Sequence, residues 1–178
     1  MGEESLYYTD HATWRSQANA HYACWKNGYW LAHRLNNSKA RAFYGDIYEL
    51  PTELGLFDVS VVGSVLEHLR DQISAMASVA RLTRSTMIIV TALTETEDKL
   101  ALFAGSADWP QNNYSWWRYS LGTYREVLRM LGFRINSVSK NKYRCPFNPS
   151  DTERHTIVAA REQVGARKHC LATRSISR

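Results

Sequence analysis

Phe57-Asp58-Val59-Ser60-Val61-Val62-Gly63-Ser64-Val65-Leu66-Glu67-His68-Leu69-Arg70-Asp71 is the stretch that decides the fold. Its first seven residues are a β-branched run closed by glycine, which suits a strand buried on both faces, as in a parallel sheet. The polar turn at 68–71 leads into a predicted helix from Gln72 to Leu82, with Ile73, Met76, Val79, Ala80 and Leu82 on its apolar side. Thr86–Ala92 (TMIIVTA) predicts a second buried strand. Strand, helix and strand joined by short links make a βαβ unit, which is almost always parallel and right-handed. The fold class is therefore α/β.

Upstream, Trp14, Ala18, Tyr22, Trp25, Tyr29 and Ala32 recur at spacings of three and four, so 14–35 reads as an amphipathic helix stopped by Asn36-Asn37-Ser38. Lys39–Tyr44 alternates and reads as a short strand ended by Gly45-Asp46. Downstream, Thr94–Trp117 is a long polar and aromatic connection, of the length that is usually functional or disordered. Thr123–Leu131 reads as a helix with Thr123 as N-cap, Glu126 at the capping-box position and Gly132 as stop. Phe133–Ser139 and Arg154–Arg161 read as the two strands of a closing antiparallel hairpin.

In open α/β sheets ligands bind beyond the carboxyl ends of the parallel strands. That rule singles out Asp46 and Ile47, then Gly63, Ser64, Glu67 and His68. An acidic side chain after a strand can accept from an exocyclic amine, with Ile47 beside it to flank a ring; Gly45-Asp46 also fits a plain turn. Gly63 or Ser64 lets backbone approach a ligand. His68 suits a general base, and equally a helix cap. Trp116 and Trp117 suit a substrate lid, and equally a hydrophobic anchor for their loop.

The segment Arg41–Ala92 resembles the class I S-adenosylmethionine-dependent methyltransferases. Gly45-Asp46-Ile47 matches their third-strand motif, Phe57–Asp71 their fourth, and Ala80–Thr91 the helix and fifth strand that follow; Leu131-Gly132-Phe133 and Ile157-Val158-Ala159 extend the likeness to roughly 39–161. The resemblance implies S-adenosylmethionine as cofactor, with Asp46 and Ile47 at its adenine and Gly63 and Ser64 at its methionine portion. It implies Glu67 and His68 near the methyl acceptor, and a substrate role for Trp116 and Trp117. The family's glycine-rich first strand has no counterpart here, since the nine glycines are scattered. The expectation is an incomplete, Rossmann-like class I sheet, truncated at its N-terminal side and closed by a C-terminal antiparallel hairpin. Such a chain alone should bind cofactor poorly.

The chain has 178 residues, 44% hydrophobic and 22% charged, enough for a single core. One methyltransferase-like domain is expected over 1–161, with a basic, disordered tail over 162–178. Net charge is +5, and Arg161, Arg167, Lys168, Arg174 and Arg178 gather near the end. A small-molecule or tRNA acceptor fits, and an RNA-binding role using the basic tail is a further alternative. Loss of strands leaves open sheet edges, so an oligomer through the exposed edge, or a non-catalytic methyltransferase-like interaction subunit, is another. Cys24, Cys145 and Cys170 form no metal-ligand spacing, which leaves no metal site expected and suits reduced thiols in the cytoplasm. No apolar run is long enough for a membrane span, and Met1–Asp10 lacks the pattern of a signal peptide.

Overall fold

The computed structural model describes residues 11–105, 115–144 and 151–162. The chain divides into two compact units, Met1–Tyr44 and Gly45–Arg178. The expectation of one domain over 1–161 contains no such boundary. The basic tail from residue 163 onward lies outside the described residues.

The first unit is built on helix α1, His11–Leu35. Asn37 ends it in the left-handed region (φ 48), with the Ser38 amide donating to the His33 carbonyl at 2.9 Å. Lys39–Tyr44 is not a strand. Its residues are irregular and exposed, and among the described residues no strand pairs with them. Instead His33 Nε2 lies 2.7 Å from the Ala40 carbonyl, and the Lys26 ammonium sits over the Tyr44 ring.

The second unit holds the sheet. Strand β1 (Phe57–Gly63) pairs in parallel with β2 (Thr83–Thr91), and helix α2 (Gln72–Leu82) connects them. After β2 a small two-stranded sheet forms from β3 (Ala101–Phe103) and β4 (Trp117–Tyr119). Helix α3 (Leu121–Met130) then leads into the hairpin β5 (Phe133–Arg144) and β6 (Asp151–Arg161). The order is β1-β2-β6-β5, so the returning strand β6 inserts antiparallel between β2 and β5. The hairpin is as expected but longer in both strands.

One face of the sheet is buried. Met87, Ile89, Ile157 and Ala159 point to it and pack with Leu66, Ala75 and Met76 and with Tyr124, Val127 and Leu128 of α3. This matches the period of two along β2, whose residues from Met87 to Thr91 alternate buried and half-buried. The reading of β1 as buried on both faces is corrected. Val62 is buried, yet Val59 and Val61 are exposed, Val61 by 66%. The reason is topological: β1 is an edge strand with one neighbour, and among the described residues nothing covers Val59 and Val61.

Local chemistry sets the ends of the elements. Asp71 caps α2, its carboxylate accepting from the Ser74 amide at 2.9 Å. Hydrogen bonds from the Ser74 hydroxyl and then from its amide hold the Asp71 carboxyl below the usual range. At the other end of α2, Arg161 donates to the carbonyls of Ala80 and Thr83 and stacks over the Phe133 ring. Helix α3 is capped by Ser120 rather than Thr123, and Glu126 makes ion pairs with Lys99 and Arg129 instead of closing a capping box. Ser120 wins because its hydroxyl also bonds the chain at Asp98 and Leu100, docking the incoming loop.

Candidate active site

The carboxyl ends of β1 and β2 lie side by side. Beyond β1, Gly63 is exposed, and a Cβ added there would meet nothing within 4 Å. Ser64 follows with φ 48, left-handed backbone unusual for a residue with a side chain. Its amide donates to the Val90 carbonyl at 2.7 Å, which ties the turn to the end of β2. The chain then makes a single 3₁₀ turn, Leu66–His68. Leu66 drives into the core, Glu67 turns inward and is 4% exposed, and His68 is half-buried.

The Glu67 carboxylate accepts from the Thr91 hydroxyl at 3.0 Å through Oε2. Arg154 Nε, at the start of β6, stands 3.7 Å from Oε1, an oxygen with no hydrogen-bond partner. The Trp116 amide donates to the Glu67 carbonyl at 2.7 Å, and the Arg70 guanidinium sits over the Trp116 ring at 5.2 Å. Trp117 packs against the core and meets Phe103 edge-on at 5.3 Å. The Trp116–Glu67 bond thus brings the segment that carries Trp116 and Trp117 to the turn that carries Glu67 and His68.

Asp46 and Ile47 reach the unit by another route. Asp46 Oδ1 accepts from the Tyr48 amide at 2.8 Å in a local turn. Ile47 packs against the core, and the Leu50 amide donates to the Ser78 hydroxyl on α2. None of the hydrogen bonds of Asp46 joins it to the group at the strand ends.

Sequence reasoning missed Gln72, Thr91 and Tyr124, all polar and all buried. Tyr124 stands on the same helical face as Val127, Leu128 and Leu131, which is the signal that it points inward. Burial pushes its hydroxyl up, well above the ordinary tyrosine range. A separate cleft of about 390 Å³ opens between the loop after β2 and the hairpin, beside Glu95, Lys140 and His155. None of the predicted site residues lines it. Its charges are mutually engaged: Glu95 bonds Lys140 at 2.8 Å and His155 at 3.1 Å, which holds the Glu95 carboxyl below its usual range. Among the described residues no group of side chains could hold a metal ion, and no helix is long and apolar enough to cross a membrane.

Similarity to known proteins lies in the backbone. A 1,6-didemethyltoxoflavin-N1-methyltransferase of Burkholderia thailandensis superposes with a TM-score of 0.53 at 16% identity, over 76% of this chain and 56% of that one. A S-adenosylmethionine-dependent methyltransferase of Methanosarcina mazei superposes with a TM-score of 0.50 at 12% identity, over 70% of this chain and 68% of that one. The fold is that of the class I S-adenosylmethionine-dependent methyltransferases. The N-terminal domain of EvdMO1 superposes with a TM-score of 0.50 at 13% identity, over 75% of this chain and 60% of that one. The chain spans about half the length of the first methyltransferase structures it matches. No family model matches the sequence. No curated protein matches it either.

Proposed function

We propose that this chain serves S-adenosylmethionine-dependent methyl transfer to a small-molecule acceptor at the carboxyl ends of β1 and β2. The observation that carries the reading is Ser64: a non-glycine residue held left-handed at a strand end, beside the Glu67–His68 turn, in a methyltransferase fold. Backbone held in a sparsely populated region gathers at ligand sites.

The residues present fit the cofactor. Asp46 has one carboxylate oxygen outside its turn bond, able to accept from an exocyclic amine, with Ile47 beside it. The open space around Gly63 admits close approach to backbone. The bound cofactor supplies an electrophilic methyl group on a sulfonium. The chain's own part is to orient and to handle a proton. His68 would take the proton of an acceptor O–H or N–H at a ring nitrogen. Glu67, turned inward, would fix the turn that presents His68 and place negative charge behind it. Trp116 and Trp117 would wall the acceptor and exclude water.

Calorimetry with S-adenosylhomocysteine tests this. Weak, saturable, one-to-one binding that Asp46→Ala and Gly63→Val each reduce at least tenfold is expected. No binding by the wild-type chain, or binding indifferent to both substitutions, would sink the reading. A tRNA acceptor is a variant of it, favoured by the net charge of +5. It predicts an affinity that falls steeply with salt. A cytoplasmic setting accords with the widely spaced cysteines, of which Cys24 is free and exposed.

The open edge of β1 favours a second reading, in which the chain is an interaction subunit or an oligomer. Phe57, Val59 and Val61 are exposed along a strand whose outer edge has no neighbour among the described residues. Sedimentation separates the readings: a stable complex formed through β1, with no cofactor binding, supports the second.

A further inference from the structure

Behind the site a buried polar circuit joins three segments that meet nowhere in the sequence. Tyr124, on α3 and 1% exposed, directs its hydroxyl to Gln72 Oε1 at 3.1 Å and to the Thr91 hydroxyl at 3.4 Å. Gln72 Nε2 donates to the Trp117 carbonyl at 3.0 Å. Thr91 donates to Glu67 Oε2 at 3.0 Å, and the Glu67 carbonyl receives the Trp116 amide at 2.7 Å. The circuit therefore closes on the Trp116–Trp117 segment, at the amide of the first residue and the carbonyl of the second.

Its protons can be assigned by starting from the groups that only accept. The Trp117 carbonyl can only accept, so the Gln72 amide donates to it and leaves Oε1 as an acceptor. The single proton of Tyr124 is then shared between Gln72 Oε1 at 3.1 Å and the Thr91 oxygen at 3.4 Å. The Glu67 carboxylate can only accept, so Thr91 donates to it and its lone pairs face Tyr124. Hydrogen bonds in a buried network fix geometry, because loss of one member leaves others without partners.

We propose that Tyr124 is the positioning residue of this site: through Gln72 on one arm and Thr91 and Glu67 on the other, it holds the Trp116–Trp117 segment against the Glu67–His68 turn. Tyr124 touches neither acceptor nor cofactor and acts through the wall it secures. As a device of the methyl-transfer site, it rests on the reading given above; as a structural lock, it stands on these bonds alone.

Hydrogen–deuterium exchange on the intact chain tests it. In Tyr124→Phe the Trp116 amide is expected to exchange at least tenfold faster, while the amides of Met87 and Ile89 in β2 keep their wild-type rates. Thr91→Val should do the same, and Thr91→Ser, which keeps the hydroxyl, should restore the wild-type rate at Trp116. An unchanged Trp116 amide in Tyr124→Phe overturns the proposal. So does a uniform rise across β2 and Trp116, which marks Tyr124 as a core residue only. If Tyr124→Phe fails to fold, the contrast between Thr91→Val and Thr91→Ser decides in the same way. Titration of S-adenosylhomocysteine alongside keeps the two ideas apart: absence of binding by the wild-type chain removes the methyltransferase reading, while the exchange rates alone judge the lock.

Discussion

The Ser64 amide donates to the Val90 carbonyl at 2.7 Å, and this bond holds a serine in backbone that glycine would adopt freely. A left-handed conformation costs a residue with a Cβ roughly 1–2 kcal/mol. Ser64→Gly is therefore expected to raise stability by up to about 1 kcal/mol, glycine's greater unfolded-state entropy offsetting part of the gain. Ser64→Val, β-branched, should lower it. Urea unfolding of the two variants checks the sign of each.

Asp71 offers a test with a pH dependence. As N-cap of α2 it is expected to contribute about 1 kcal/mol, lost in Asp71→Ala at neutral pH. Its folded-state pKa is lowered by the Ser74 bonds, so the contribution is present above the ordinary aspartate pKa and disappears as pH falls through the folded value. Wild type and Asp71→Ala should converge in stability in strong acid and separate at neutral pH. Denaturant midpoints across that range provide the measurement.

Tyr124 carries the opposite sign. Burial raises its pKa in the folded state, so its protonated form is favoured by folding. That contribution is intact below the ordinary tyrosine pKa of about 10 and falls as pH rises beyond it. Alkaline titration followed by circular dichroism should show wild type losing stability above that point. Tyr124→Phe should show a shallower loss over the same interval.

Neighbours on β1 and β2 differ because of the face they occupy. Met87, fully buried, should lose about 2–5 kcal/mol on replacement by alanine. Val61, exposed on the edge strand, should tolerate lysine within about 0.5 kcal/mol. If the β1 edge mediates association, Val61→Lys should also shift sedimentation toward the smaller species.

The βαβ core was legible because its signals are local. Period-two and period-3.6 apolar spacing place β1, α2 and β2, and the glycine at 63 and the polar turn at 68–71 mark where chemistry could sit. The exposure of Val59 and Val61 was not legible, because a β-branched run looks the same whether or not a neighbouring strand exists. Lys39–Tyr44 alternates as a strand does, yet alternation alone supplies no partner. The cap of α3 went to Ser120 because of long-range bonds to Asp98 and Leu100, which no local motif encodes. The joining of Glu67 to Trp116 and of Gln72 to Trp117 depends on how far-apart segments fold back. The residue types hinted at the site; their partners came from topology.

The insertion of β6 between β2 and β5 also has a consequence for the order of events during synthesis. Of the described strands, β6 is the last to be made, yet it occupies an interior place in the sheet. A nascent chain that has extended only through β5 possesses β1 and β2 as a parallel pair with two open edges, and β5 has no strand beside it. Closure must wait for residues 151–161, and the pairing that completes it spans more than sixty residues between Thr91 and His155. Such non-local pairing is slow. Until then the chain exposes adhesive strand edges, so a holding chaperone or slowed translation past β5 would be felt as a change in yield rather than in final structure.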